Sequence, residues 1–323
     1  MVGQQPPGRI TLWGTEVFVA AAEEGTLSAA ARRLGASVSA VSQQLSALEA
    51  ALGAALLDRT ARPLALTPAG EMFLRRARAM LAEAGAARAE IAARDLSALP
   101  LMRLGMIEDL EADVTPRLLS EMAGELTRSR FQLETGPSHR LLGLLDARAL
   151  DMVVAADPGQ AADWMELHPL LTEPFLVAAP QGRLDRAGDV LAQLMALPFV
   201  QYTQRHQMGR QIAEHLARHD LRPAGRFELD SYNAILAMVA GGAGWTILTP
   251  LGLLHARRFR TEVDVLPLPL APLSRRIALI ARAGVLGDMP LRMADRLRPL
   301  LRDLVVEAAV GRQPWLQDAL RVL

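Results

Sequence analysis

Apolar residues Leu12, Val17, Ala20 and Ala21, with Trp13 and Phe18 beside them, recur at helical spacing and predict a first amphipathic helix over about 11–24. Thr26 or Ser28 is placed to cap a second helix that runs to Leu34, and Gly35 permits a tight turn. Ser37 then caps a third helix reaching about Leu52, which Gly53 ends. Val41, Leu45, Leu48 and Leu52 form its buried stripe, so Ser39, Ser42, Gln43 and Ser46 face outward. This third helix opens with small and amide side chains instead of a hydrophobic block, a surface suited to the DNA major groove.

Two short extended pieces around an Arg-bearing turn, residues 56–66, predict a small β-wing. Thr67-Pro68 starts a long helix in which Phe73, Ala77, Met80, Ala84, Ala87 and Ile91 alternate by four and three. That average of 3.5 residues is the period of a coiled-coil seam and predicts dimerisation along this helix. The pattern breaks over 96–100, which reads as a hinge. Strands and helices then alternate. The strands are Leu101–Ile107, Phe131–Thr135, Met152–Ala156, Phe175–Ala179, Phe199–Tyr202, Arg226–Asp230, Trp245–Leu248, Val263–Leu268 and Arg276–Ala281. The intervening helices start near Thr115, Ser138, Asp189, Met208 and Ser231, and a last one spans Pro290–Val310. Two similar α/β halves joined by crossing segments make a cleft, with ligands expected at strand C-termini and helix N-termini.

Composition adjusts this picture in three ways. The 323 residues exceed one small domain, and 51% hydrophobic content supports sizeable cores. There is no cysteine, which removes disulfides and thiolate metal sites. Every apolar run is interrupted by charge or Pro before it reaches bilayer length, and Met1–Arg9 lacks a signal-peptide pattern, so a cytoplasmic protein without a membrane partner is expected. The formal net charge is zero, and all 35 basic residues are arginine. Any contact to phosphate therefore comes from arginine, a hydroxyl, an amide or the backbone.

Enzymatic chemistry finds little footing. His215 and His219 are four apart on a helix but lack a third ligand of suitable spacing. His139 adjoins Ser138, and adjacent residues rarely face each other as nucleophile and base. Gly241-Gly242-Ala243-Gly244 precedes a strand, opposite to a dinucleotide fingerprint. The expectation is a protein that is not an enzyme, with no cofactor and no metal.

Nearly the whole chain resembles the LysR-type transcriptional regulators. The resemblance is carried most specifically by the run from Phe18 to Leu34, by Ser37, Ala40-Val41-Ser42, Gln44-Leu45 and Leu48-Glu49, and by Leu56-Leu57-Asp58-Arg59-Thr60 and Leu66-Thr67-Pro68-Ala69-Gly70. Gly136-Pro137-Ser138, Leu150–Ala155 and Val239–Trp245 extend it. It implies a winged helix-turn-helix over 1–66, a linker and dimerisation helix over 67–96, and a two-lobed α/β effector domain of periplasmic-binding-protein type over 97–311. Lobe I would cover about 101–173 and 269–311, lobe II about 174–268, with a C-terminal tail over 312–323. It further implies promoter DNA, RNA polymerase, a small-molecule co-inducer and a second copy of the chain as partners, in a dimer and usually a tetramer.

The DNA-facing residues so implied are Ser37, Val38, Ser39, Ser42, Gln43 and Gln44, with Thr26 and Ser28 on phosphate and Arg59 and Arg62 in the wing. Two departures stand at reading positions: Val38-Ser39 replaces the family's common Gln-Pro, and Gln43 replaces a common Arg or His. Val38 suits a thymine methyl, and Gln43 or Gln44 suits adenine. The effector cleft is implied at Ile107, Glu108, Asp109, Gly136, Pro137, Ser138, Tyr202, Thr203, Gln204, Arg205, Thr246 and Thr249. Arg205 is the cationic candidate for a carboxylate or amino-acid-like effector, whereas Glu108 and Asp109 favour an amine. The alternative is a cytoplasmic small-molecule sensor whose N-terminal helices serve assembly. That reading predicts that Ser42→Ala with Gln43→Ala leaves function untouched.

Overall fold

The structure, a computed structural model, describes residues 9–92, 101–126 and 129–323. The chain divides into two compact units, with the break in sequence after Ile91. The expected hinge over 96–100 lies outside the described residues.

The first unit starts with α1 (Leu12–Glu24), α2 (Leu27–Leu34) and α3 (Val38–Leu52). Each begins at a hydroxyl cap: Thr11 accepts from the Gly14 amide, Thr26 from Ala29 and Ser37 from Ala40. Each ends at a glycine in the left-handed region, Gly25, Gly35 and Gly53, with φ of 66°, 62° and 68°. Val17, Phe18, Ala20, Ala21, Val41, Leu45 and Leu48 pack as one core. Leu12 and Trp13, expected at the buried face, are instead 50% and 38% exposed, while Gly14 and Thr15 of the same turn are buried.

The wing is the antiparallel pair β1 (Leu57–Asp58) and β2 (Ala65–Leu66). The long helix α4 (Pro68–Ala92) follows. Thr67 joins wing to helix: its hydroxyl accepts from the Gly70 amide and donates to the Ala55 carbonyl at 2.7 Å. Gly70 is required here, since a Cβ would lie 2.0 Å from the Leu56 carbonyl oxygen.

The second unit is two-lobed. Its elements are β3 (Leu101–Met106), α5 (Val114–Glu125), β4 (Arg130–Thr135), α6 (Ser138–Asp146), β5 (Met152–Ala156) and β6 (Met165–Pro174). Then come β7 (Leu176–Pro180), α7 (Val190–Met195), β8 (Phe199–Tyr202), α8 (Gln207–Arg218), β9 (Gly225–Leu229), α9 (Tyr232–Ala240), β10 (Thr246–Leu248), α10 (Pro250–His255) and β11 (Val263–Pro267). The chain closes with β12 (Ser274–Arg282), α11 (Met289–Leu301), a π-turn over Arg302–Val306, α12 (Glu307–Val310) and β13 (Arg321–Val322). Lobe I is the sheet β13-β6-β12-β5-β3-β4, with β3 parallel to β4 and β5 and with β12 antiparallel to β5 and β6. Lobe II combines β10-β7-β11 with the parallel pair β8-β9, linked by a bridge from Phe199 to Trp245. The chain crosses between lobes after β6 and before β12. The two crossings are tied by the Phe175 amide donating to the Leu273 carbonyl at 2.8 Å.

Three elements depart from the expected pattern. β6 carries Pro169 and Pro174, which argue against a strand, yet it pairs along β12 with a register shift between Ile277 and Ala278 that accommodates Pro169. The short helix α10 was not anticipated. The last twelve residues do not form a tail: Leu316 and Leu320 are buried in the lobe I core, and β13 adds to β6. Their apolar positions are too few to show a period.

Candidate DNA-reading helix and ligand cleft

The helix-turn-helix presents its sequence-predicted residues unevenly. Ser28 on α2, Ser37 at the cap of α3 and Val38, Ser39 and Gln43 on α3 are exposed, and Ser42 and Gln44 are half-buried; Ser39 and Gln43 face away from Val41, Leu45 and Leu48. Val38 is 45% exposed at the start of that helix. The Ser37 hydroxyl is engaged by the Ala40 amide and lies 3.0 Å from the Ser39 hydroxyl. Thr26 is likewise occupied as a cap.

The two wing arginines behave differently. Arg62 is exposed and makes no hydrogen bond or ion pair among the described residues. Arg59 is not free: it donates to Glu49 at 2.8 Å and Ser46 at 3.0 Å. Glu49 also accepts from the Leu56 and Leu57 amides, so this pair fastens the wing to α3. Arg59, expected at DNA, thus has a structural partner within its own unit. Arg33 is similarly held by Glu23 and Glu24 at 2.9 and 3.3 Å.

The predicted seam on α4 also divides. Phe73 and Ala77 pack into the core of their own unit, with the Phe73 ring 5.5 Å from that of Phe18. They are removed from the candidate dimer seam. Met80 and Ala84 are half-buried and Ala87 is exposed, while the Ile91 side chain lies outside the described residues.

Between the two lobes of the second unit lies a cleft. Ile107, Glu108 and Asp109 line it from the end of β3, Gly136, Pro137 and Ser138 from the start of α6, and Tyr202 from the end of β8. These seven belong to the predicted set. Thr203, Gln204, Arg205, Thr246 and Thr249 do not line it. Thr203 is buried and donates to Glu228 at 2.6 Å, and Thr246 donates to the Val200 carbonyl at 2.8 Å. Thr249 caps α10. Gln204 and Arg205 point to solvent from the turn before α8, and the Arg205 Nε lies 3.4 Å from the Thr203 hydroxyl. Arg205 is therefore not the cation of the cleft.

That cation is Arg275, on β12. Its Nε donates to Glu173 at 2.7 Å, and one Nη donates to Asp109 at 2.5 Å and to Thr249 at 3.3 Å. Glu173, fully buried, also accepts from the Leu251 amide at 3.0 Å. Burial opposes the charge of Arg275, but Glu173, Tyr232 and Asp109 outweigh it and hold the guanidinium well above its ordinary range. Burial raises the Glu173 carboxyl against the attraction of Arg275. Sequence reasoning missed both residues. A signal existed in strand parity: Arg275 shares a face with Ile277, and Glu173 with Leu171.

Two aromatic and two imidazole rings complete the wall. Tyr232 donates to Asp109 at 3.3 Å, and its ring centroid lies 5.2 Å from that of Tyr202. Gly252 makes room for it, since a Cβ there would lie 2.3 Å from the Tyr232 ring. The His206 ring, before α8, packs against that of His139 of the opposite lobe with centroids 5.2 Å apart and planes tilted by 45°. Burial and then His139 push the His206 imidazole below its usual range. Ser138, at the start of α6, accepts from the Ala156 amide at 3.0 Å and keeps its proton for another partner. The space open to the centre of a water-sized sphere is about 40 Å³, room for about three waters.

Residues 14–71 match the family described as "Bacterial regulatory helix-turn-helix protein, lysR family", and residues 98–292 match "LysR substrate binding domain". A probable hydrogen peroxide-inducible genes activator of Streptomyces viridosporus is 32% identical over 303 residues, covering 90% of this chain and 94% of that one. Among solved structures, a full-length OxyR variant from Pseudomonas aeruginosa superposes with a TM-score of 0.67 at 23% identity, covering 91% of this chain and 95% of that one. Full-length CbnR complexed with its target DNA gives a TM-score of 0.60 at 22% identity, covering 90% of this chain and all of that one. With a regulatory helix-turn-helix at one end and a substrate-binding domain over most of the remainder, the chain belongs to the LysR family of DNA-binding transcriptional regulators.

Proposed function

We propose that α3 reads promoter DNA through Val38, Ser39, Ser42 and Gln43 and that a small molecule in the interlobe cleft controls this binding. The carrying observation is the exposed start of α3, where Val38 in the first turn is 45% exposed and Ser39 and Gln43 are exposed on the face away from the core stripe. Arg62 supplies phosphate or minor-groove contact, with Ser28 on the backbone. Two copies pair along the part of α4 beyond Ala77, setting two α3 helices into successive major grooves, and pairs assemble further into a tetramer. Ligand in the cleft shifts the arrangement of subunits, and through it DNA bending and contact with RNA polymerase. The signal is not read by a thiol, because the chain has no cysteine.

Gel-shift and footprinting on the DNA upstream of the protein's own gene test this reading. Ser42→Ala combined with Gln43→Ala should weaken sequence-preferring binding about tenfold or more, since a bidentate base contact contributes about 1–3 kcal/mol. Arg62→Ala should lower the slope of affinity against salt by about one. Regulation that survives the double substitution would mean that the N-terminal helices serve assembly alone. For the pairing, Met80→Arg should shift the sedimenting species toward monomer.

A further inference from the structure

Resting on the reading of the cleft as the effector site, we infer that its ligand is a small organic cation, an amine whose other end carries an uncharged hydrogen-bond acceptor such as a hydroxyl or amide.

Asp109 and Glu173 both pair with the one guanidinium of the cleft wall, Arg275, at 2.5 and 2.7 Å. Glu108 lines the cleft with no ion pair or hydrogen bond among the described residues. The carboxyl of Glu108 is raised by burial and by the negative Asp109, Glu111 and Asp230, against a smaller pull from His255. Both tyrosine hydroxyls are also raised, by burial first and Asp109 next. With Arg275 already matched by two carboxylates, the unpaired Glu108 leaves the cleft wall with an uncompensated negative charge, which attracts a cation and repels a carboxylate. The rings of Tyr202 and Tyr232 offer an ammonium further stabilisation on their faces. The imidazole of His206, held below its usual range, adds no positive charge near neutral pH.

A second observation points to the ligand's other end. Arg275 is 9% exposed and lines the cleft, yet its Nη1 makes no hydrogen bond among the described residues while Nε and Nη2 are both engaged. That nitrogen reaches the solvent of the cleft, where a ligand oxygen can replace water as its acceptor. A ligand carboxylate there would be a third anion on one arginine, whereas a hydroxyl or amide oxygen satisfies the donor without adding charge. Ser138, with its proton available, stands on the same wall.

The test uses the full-length protein with ethanolamine and glycinamide as cationic probes and glycolate as the anion of matching size, read by thermal shift and calorimetry. The expected result is that one or both amines raise Tm and bind, that glycolate does not, and that Glu108→Gln weakens amine binding at least tenfold. Affinity should also fall as pH drops through the raised carboxyl of Glu108. Glycolate binding in preference, no binding by either amine, or amine binding indifferent to Glu108→Gln overturns the inference. Glu108 is exposed, so its substitution leaves the fold intact, and wild-type-like Tm in the ligand-free variant checks this. The underlying reading fails separately: Ser138→Trp, which fills the cleft, would then leave promoter regulation unchanged. If Ser138→Trp abolishes glycolate binding and alters regulation, the cleft reading stands and only the cation is lost.

Discussion

Arg275 and Arg205 illustrate how position decides what one residue type contributes. Arg275→Gln strands the fully buried Glu173 without its cation, and breaking such a pair costs about 3–5 kcal/mol. Urea unfolding of the variant should show that loss, with the transition of the second unit moved to lower denaturant. Arg205→Ala, at an exposed turn, should change stability by no more than about 0.5 kcal/mol and leave ligand binding intact. His206 gives the residue scale a pH dependence. Its folded-state pKa is depressed, so the unfolded chain binds the proton more readily. The stability it contributes is complete above about pH 6.5 and is lost as pH falls through and below that value. His206→Gln should flatten this part of a Tm-against-pH curve. Asp109 and Ser138 were legible in the sequence because strand C-termini and helix N-termini gather at such clefts. Arg275 was not, because only its partners distinguish it from the neighbouring exposed Arg276.

At the scale of elements, the first three helices follow closely from local chemistry. Hydroxyl caps, left-handed glycines and a 4-3-4 apolar stripe are contained within a few residues of chain, so sequence reading finds them. Thr67→Ala removes the cap of α4 together with its link to the Ala55 carbonyl and should cost about 1 kcal/mol. Gly70→Ala should cost more, since its Cβ would meet the Leu56 carbonyl oxygen at 2.0 Å and backbone must move. Thermal unfolding of the two variants side by side checks the order. The long α4 shows where periodicity stops being informative. A spacing of 3.5 residues marks a narrow apolar stripe but not what covers it, and Phe73 and Ala77 are covered by their own domain. β6 makes the complementary point: its two prolines obscure a strand that forms because β12 pairs along it while β6 bulges at Leu170, beside Pro169.

Across the whole molecule, the C-terminus is the plainest test of how distant segments join. Deleting residues 312–323 removes two fully buried leucines and the β13 edge, and losing even one such side chain costs about 2–5 kcal/mol. The truncated protein should unfold at markedly lower temperature in circular dichroism, where loss of a solvated tail would leave Tm unchanged. The sequence by itself determined the helix-turn-helix, the alternation of strands and helices, the family and the absence of thiol chemistry, because local spacing and residue type suffice for each. Tertiary structure alone decided that Arg59 fastens the wing, that Arg205 stands outside the cleft, and that Asp109 and Arg275 of the cleft wall meet the buried Glu173 behind it. The reason is physical. An ion pair between residues separated by 102 or 166 positions leaves no period in the chain, and its energy depends on a burial that exists only after the lobes have folded.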